Sequence, residues 1–185
     1  IAGQVAIVGG NGTHWNAEYT VSGTEATGPA LLSIEFEDSG KNVGKVVTRT
    51  TDLSTVSIDL TPPSLVLVSI VSNNANDVSR ANGGDTITVS IEASEPLALP
   101  VVSIADHQAI VRVVNISGLS YTASVTVGAL DMGDGATSII IAYEDLASNS
   151  GDPVTATTDT SEVRIDTAAP TILSLTIVSS NGADS

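Results

Sequence analysis

Apolar and polar residues alternate along most of the chain with a period of two. Between residues 85 and 94, the apolar positions Ile87, Val89 and Ile91 fall on one face and hydroxyl-bearing residues on the other. This alternation is typical of β-strands with one buried face and one wet face. In the most complete part of the chain it predicts seven strands, at residues 65–72, 85–94, 100–105, 108–114, 119–128, 137–144 and 154–165. No segment has a sustained helical period.

Turn signals separate the predicted strands. Asn82-Gly83-Gly84-Asp85 precedes one strand, and Glu95-Pro96 ends it. Asn11-Gly12 predicts a hairpin between strands at Val5–Val8 and Trp15–Val21. Seven short antiparallel strands at this spacing indicate a two-sheet β-sandwich of the immunoglobulin type.

The sequence repeats itself with a shift of 107 residues. The stretch from Phe36 to Val78 aligns without a gap with the stretch from Tyr143 to Ser185. Each copy also contains a row of alternating residues that is predicted to face inward. The row is Trp15, Ala17, Tyr19 and Val21 in the first copy, and Tyr121, Ala123, Val125 and Val127 in the second. A period of this length matches a whole β-sandwich domain and is longer than that of helical solenoids.

The repeat predicts an all-β chain of tandem immunoglobulin-like domains in an extended array. Residues 1–61 form a partial domain that lacks its first strands, residues 62–168 a complete domain, and residues 169–185 the first strand of a further domain. The linkers Ile58–Ser64 and Ile165–Thr171 are short and contain proline, which makes them semi-rigid spacers.

The two ends do not cover their own apolar faces, because each lacks neighbouring strands. Either the natural chain is longer or neighbouring copies lend strands to one another. We favour the longer chain, since a joint between copies would still lack the strand equivalent to residues 85–94. The expected partners are therefore neighbouring repeats of the same chain, or lateral copies in a filament.

Composition narrows the classes of partner. The formal charge is −15, from 21 acidic and 6 basic residues, and aromatic residues make up only 3%. Such a surface repels nucleic acid and anionic membranes and attracts cations. No apolar run approaches the roughly 20 residues of a membrane-spanning helix. The absence of cysteine neither requires nor excludes export.

Three segments carry a family resemblance: Asn82–Pro96, Tyr143–Gly151 and Val163–Pro170. In this order they resemble the tandem bacterial-type immunoglobulin-like (cadherin-like) repeats of large cell-surface and adhesin proteins. The family pattern has a Ser-Glu-Pro turn, an acidic loop and an Asp-Thr-x-Ala-Pro linker. Ser148 replaces the usual loop glycine, and the first linker departs with Leu60-Thr61-Pro62-Pro63. The resemblance implies an extracellular or cell-surface location.

The resemblance also implies calcium between domains, held by acids of the linkers and loops. The matching positions in the complete repeat and, by the 107-residue shift, in the preceding one are Glu95, Glu144, Asp145, Asp166, Glu37, Asp38 and Asp59. Hard cations such as calcium require several oxygen ligands. The alternative is that these acids are solvated or cap nearby turns.

Two tripeptides match the acceptor pattern for N-linked glycans, at Asn11 and Asn115. Both fall in the same predicted hairpin turn of successive repeats. An exposed turn can carry a glycan without disturbing a sheet. Asparagine also favours turns for its own reasons, so the pattern alone leaves modification open.

An enzymatic role is not expected. The two histidines, His14 and His107, occupy non-equivalent positions and have no nucleophile at a recognisable spacing. Without cysteine, a structural zinc site is also not expected. Three functions remain: a segment of an extracellular stalk, fibre or adhesin, a self-assembling surface filament such as a flagellar hair or sheath, and a carbohydrate- or receptor-binding module.

Overall fold

A computed structural model describes residues 1–115, 117–128 and 133–179. Within these ranges the chain is all-β, with strands joined by turns and irregular segments. The strands in chain order are β1 (Ile7–Asn11), β2 (His14–Glu18), β3 (Gly28–Pro29), β4 (Ser57–Ile58), β5 (Leu65–Ser72), β6 (Arg80–Ala81), β7 (Thr86–Ala93), β8 (Val101–Ile104), β9 (His107–Gln108), β10 (Ile110–Val113), β11 (Ser120–Thr126), β12 (Gly135–Ala136), β13 (Ile139–Ala142) and β14 (Arg164–Ile165).

The largest sheet has four antiparallel strands in the order β10-β11-β7-β5. Its register places Tyr121 opposite Ile91, and Ile91 opposite Val68. All three side chains are buried. Because the side-chain period of a strand is two, this register puts the whole apolar set of β7 on the core face.

Two three-stranded sheets complete the same region. One has the order β13-β8-β9, and the other, β12-β14-β6, includes a parallel pair between β14 and β6. Buried residues from these sheets and from the four-stranded sheet form one hydrophobic cluster, which contains Ile104, Ile141 and Ile165 beside Val89 and Tyr121. Sheets that share one core in this way are consistent with a β-sandwich.

The predicted strand at residues 154–165 is much shorter in the structure. Val154 makes a single bridge to Ile141, and regular pairing resumes only at β14. Between them, Thr158 and Ser161 turn their side chains toward the backbone of β5. Beside one backbone bond, from the Thr158 N–H to Val68 O, side-chain hydrogen bonds to the backbone take the place of a regular ladder here.

The first 60 residues form smaller sheets. Strands β1 and β2 make the hairpin predicted around Asn11-Gly12, and β3 pairs with β4. The predicted inward row in and after β2 is not buried: Trp15 is 64% exposed and Val21 45% exposed. In the complete repeat β7 flanks the equivalent strand β11 and β8 contacts it, and residues 1–60 contain no counterpart of either.

Candidate metal centre

Three carboxylates from three separate segments meet at the start of the complete repeat. Asp59 follows β4 in the linker, Glu95 follows β7, and Asp145 lies in the loop after β13. One side-chain oxygen from each lies within 4.8 Å of the other two. Acidic residues are expected to repel at such distances unless something offsets their charge.

Asp145 is the fixed member of the group, because its own loop folds around it. The backbone N–H groups of Ala147 and Asn149 donate to its Oδ1 at 2.7 and 2.9 Å, and Asn149 Nδ2 donates to its Oδ2 at 2.7 Å. The side chain is only 2% exposed. A short acidic residue that accepts bonds from the amides that follow it is a typical organiser of a turn.

Glu95 is placed by the turn that ends β7. The residue before it, Ser94, exchanges hydrogen bonds with Ser64 at 2.9 and 3.0 Å. Two residues later, Leu97 makes a bridge to Asp145, and the Leu97 N–H donates to the hydroxyl of buried Tyr121 at 2.9 Å. The turn is therefore held on both sides, and it brings Glu95 against the Asp145 loop.

Asp59 is joined to this loop through the backbone. Asn149 Nδ2, which also bonds Asp145, donates to the carbonyl oxygen of Asp59 at 3.1 Å. The Asp59 side chain accepts from the Thr61 N–H at 3.0 Å. Asn149 thus ties the linker to the acidic loop of the repeat that follows it.

The electrostatics differ between the members. Desolvation raises the pKa of Glu95 above its ordinary value, and the nearby charges of Asp59 and Asp145 raise it further. Desolvation also acts to raise the pKa of Asp145, but the bonds from Asn149, Ala147 and Ser148 outweigh it and hold the pKa below its ordinary value. Within the group, the Asp145 carboxylate is therefore stabilised in its charged form, and the Glu95 carboxylate is not.

The chemistry of this group suits a hard divalent cation. Its ligands are carboxylate oxygens, which calcium and magnesium prefer. A cation would offset the charges of Asp59 and Asp145, which add to the effect of desolvation on the pKa of Glu95.

Of the seven acids predicted from the sequence, the structure brings three together. The other four are exposed and lie elsewhere. The backbone of Glu144 makes a bridge to Ser150, and the carboxylate of Asp166 lies 3.9 Å from the Arg80 guanidinium. Glu37 forms a salt bridge with Lys41, and the Asp38 carboxylate accepts hydrogen bonds within its own turn.

Asn149 is a participant that the sequence reasoning did not single out. A signal for it was available, because the 107-residue shift aligns Asn149 with Asn42. Asn42 Nδ2 donates to Asp38 Oδ2 at 2.8 Å, which repeats the bond from Asn149 to Asp145. An asparagine recurring four residues after the acid indicates a shared turn.

The two predicted glycan acceptors lie on the surface. Asn11 ends β1 in the hairpin and is exposed. Asn115 is exposed too, but its side chain bonds Ser120 and Ser117 at 2.8 and 2.7 Å. Residue 116, inside the second tripeptide, lies outside the described residues.

Comparison of the chain with protein-family models, with curated proteins and with solved structures found no match in any of the three. Among the described residues, none forms a helix with the length and apolar character needed to cross a membrane.

Proposed function

We propose that this chain is a structural segment of an extracellular stalk, fibre or adhesin, made of tandem immunoglobulin-like domains that project other domains from a cell surface. The observation that carries the proposal is the meeting of Asp59 with Glu95 and Asp145. A residue between two repeats lies against two loops of the following repeat. A contact of this kind limits bending at the joint, which is what a stalk requires.

A divalent cation, calcium in our proposal, binds the three carboxylates and stiffens the joint. Two observations support the cation. The first is the convergence of three oxygens within 4.8 Å. The second follows from it: the pKa of Glu95 is raised by desolvation and further by the charges of Asp59 and Asp145, and a bound cation would offset those charges.

The repeat extends the same arrangement along the array. Asp166 is the counterpart of Asp59, and Pro170 of Pro63, under the 107-residue shift. Asp166 is therefore assigned to the joint with the next repeat, where it would meet that repeat's counterparts of Glu95 and Asp145. In the described structure its nearest opposite charge is Arg80, at 3.9 Å.

Thermal unfolding of the chain in chelator, in magnesium and in millimolar calcium tests the cation. We expect calcium to raise the melting temperature of the wild-type chain, because a ligand that binds only the folded state stabilises it. Glu95→Gln should abolish this rise. Glu92→Gln is the matched control, since Glu92 is an exposed residue of β7, the strand that Glu95 follows, and it should leave the rise unchanged.

Equal melting temperatures of the wild-type chain in chelator and in calcium would contradict the proposed binding of a cation.

The stalk itself is tested by electron microscopy of the native protein on its cell. Thin single rods support a stalk, whereas ordered fibres of many chains support the second candidate, a self-assembling filament.

The filament is kept as a candidate because of one specific feature. Large apolar side chains are exposed in many places along the described residues, among them Ile7 at 82% and Ile177 at 97%. Where such side chains form a shared apolar patch, they commonly mark a contact with another chain.

A further inference from the structure

The turn that leads into β7 places an asparagine directly before two glycines. Residues 82–85 read Asn-Gly-Gly-Asp. The Asp85 N–H donates to Asn82 O at 3.0 Å, and the Asn82 N–H donates to Asp85 Oδ2 at 2.7 Å. Gly84 has a φ of 94°, which glycine adopts without strain. The backbone of this turn is therefore held at both ends, while Asn82 itself is exposed to solvent.

The side chain of Asn82 is folded back onto the peptide bond that follows it. The Gly83 N–H donates to Asn82 Oδ1 at 2.6 Å. Because a C=O bond is about 1.2 Å long, the side-chain carbon Cγ lies within about 4 Å of the Gly83 nitrogen. A small rotation of the side-chain amide brings these two atoms to the roughly 3–3.5 Å of a near-attack geometry.

The surroundings leave both reacting groups open. Gly83 has no side chain to shield its nitrogen, and a Cβ added there would meet no atom within 4 Å. Among the described residues, Asn82 Nδ2 makes no hydrogen bond that would hold the side-chain amide in place. An amide nitrogen therefore lies beside a solvent-accessible carboxamide carbon to which it can bond.

We propose that Asn82 is a site of spontaneous modification, at which the chain converts its own asparagine into aspartate and isoaspartate. The Gly83 nitrogen attacks Asn82 Cγ, so that a bond from this nitrogen to Cγ forms and the bond from Cγ to Nδ2 breaks. Water carries the proton of the Gly83 N–H to the departing NH₂ group, which leaves as ammonia. The product is a five-membered cyclic imide.

A second water molecule opens the imide in one of two ways. Breaking the bond between the Gly83 nitrogen and Cγ gives aspartate at residue 82. Breaking the bond between the same nitrogen and the backbone carbonyl carbon gives isoaspartate, in which the main chain runs through Cγ. Neither route needs an oxidant, a reductant or any reactant other than water.

The chain contains an internal comparison at Asn11-Gly12. Asn11 is also exposed and also precedes a glycine, but it belongs to the β1 ladder, where it lies opposite His14. No hydrogen bond in the described part of the chain joins the Gly12 N–H to the Asn11 side chain. The structure therefore predicts that Asn82 reacts before Asn11, an order that the two identical dipeptides do not reveal.

The aspartate product adds a negative charge beside an existing one. Asp85 Oδ2 accepts from the Asn82 N–H and from Asn74 Nδ2, both at 2.7 Å. These bonds hold the pKa of Asp85 below its ordinary value, so this carboxylate is charged. A new carboxylate at residue 82 repels it and weakens the turn.

The isoaspartate product lengthens the main chain of the turn by one atom. The bond from the Asp85 N–H to Asn82 O then no longer spans an ordinary four-residue turn. Strand β7 begins directly after this turn and has β11 and β5 as its two neighbours in the sheet. Modification is therefore expected to destabilise the complete repeat. The turn precedes β7 whereas Glu95 follows it, so this inference does not depend on the acidic group.

Peptide mapping by mass spectrometry of the full chain, sampled during incubation in mildly alkaline buffer, tests the proposal. We expect the peptide containing Asn82 to gain the mass of NH₂ replaced by OH, and to do so faster than the peptide containing Asn11. Gly83→Ala is the matched control. Its Cβ meets no atom within 4 Å and Gly83 lacks the left-handed backbone of Gly84, so the fold should be retained. The added methyl group shields the nitrogen, and the reaction should become much slower.

Thermal unfolding of the same samples tests the consequence. The melting temperature of the wild-type chain should fall as the modified fraction at Asn82 rises, and that of Gly83→Ala should stay constant. An Asn82 that remains intact while Asn11 is modified overturns the proposal, as does an equal rate in Gly83→Ala. A modified Asn82 with no fall in melting temperature overturns the predicted destabilisation. Loss of the calcium effect leaves this inference standing.

Discussion

The two acidic loops, residues 38–42 and 145–149, have the same local structure and different surroundings. In each, the aspartate accepts from the amides two and four residues later, and an asparagine side chain bonds its second oxygen. The fourth residue of each loop is left-handed, with φ of 67° and 69°. Yet Asp38 is exposed, whereas Asp145 is 2% exposed.

The difference in burial between the two aspartates comes from residues distant in sequence that pack against one loop and not against the other. Asp145 has the Glu95 turn and the Asp59 linker against it. Asp38 has Lys41 and Glu37 nearby, and both are on the surface. The turn is therefore a property of a few neighbouring residues, while the candidate metal centre exists only where a linker and a second loop are added.

The largest expected effect is on stability, from substituting the glycine that follows each acidic loop, Gly151 or Gly44. A Cβ added at Gly151 would lie 2.2 Å from the ring of Tyr143, and one at Gly44 would lie 2.2 Å from the ring of Phe36. Tyr143 is held in the core, whereas Phe36 is half exposed and free to move aside. We expect Gly151→Ala to lower the free energy of unfolding by about 1–3 kcal/mol, as overpacking does.

Denaturant unfolding followed by circular dichroism measures this difference. Gly44→Ala is the control, and it should cost clearly less. Equal losses in the two variants would mean that the surroundings of the two rings do not matter.

The second expected effect concerns the aspartates. In Asp145→Asn, an amide N–H₂ group faces the Asn149 side chain that donated to the carboxylate, so one buried bond is lost. We expect a loss of about 1–2 kcal/mol for a buried bond to a charged group. Asp38→Asn makes the same change at an exposed loop and should be nearly neutral. Urea titrations of both variants make the comparison, and a larger cost at Asp38 would contradict it.

A smaller effect is expected from Asn149→Ala. It removes the bond between the linker carbonyl of Asp59 and the repeat, and we expect a loss of about 1 kcal/mol. Its specific signature is faster amide exchange at Thr61 and in the linker, measured by hydrogen–deuterium exchange. Asn42→Ala, at the equivalent position, should leave the linker unchanged.

The smallest expected effect is a pH dependence from Glu95 in chelator. Because its folded pKa is raised, the folded state binds the proton more tightly, and stability falls as pH rises through that pKa. Asp145 acts with the opposite sign: its lowered pKa adds stability that is lost as pH falls through the folded pKa. Wild type and Glu95→Gln should converge at acidic pH, with the variant more stable at neutral pH. Melting temperatures of the two proteins that differ by the same amount at every pH would contradict this.

The sequence was sufficient where the determinants are local. The alternation from Thr86 to Glu92 predicted β7, and Asn11-Gly12 predicted the first hairpin. The strand predicted at residues 154–165 was too long, because Thr158 and Ser161 bond the β5 backbone through their side chains. Trp15 was predicted to face inward and is exposed, since burial depends on strands that residues 1–60 do not contain.

The candidate site could be predicted only in part. Asp59, Glu95 and Asp145 were all among the seven acids named, but the pattern contains nothing that selects them from the other four. Which three acids meet depends on two contacts: the hydrogen bond from the Leu97 N–H to Tyr121, which positions the Glu95 turn, and the bond from Asn149 to the linker carbonyl of Asp59. Both contacts join residues distant in sequence, so they follow from the packing of the sheets and not from any motif.

Calorimetric titration of the chain with calcium tests the central claim most directly. Only one acidic loop, that of Asp145, has both a linker acid and a turn acid against it in the described structure. We therefore predict one calcium bound per chain, lost in Asp145→Asn and retained in Asp38→Asn. No binding at millimolar calcium, or equal loss of binding in the two variants, would contradict the account.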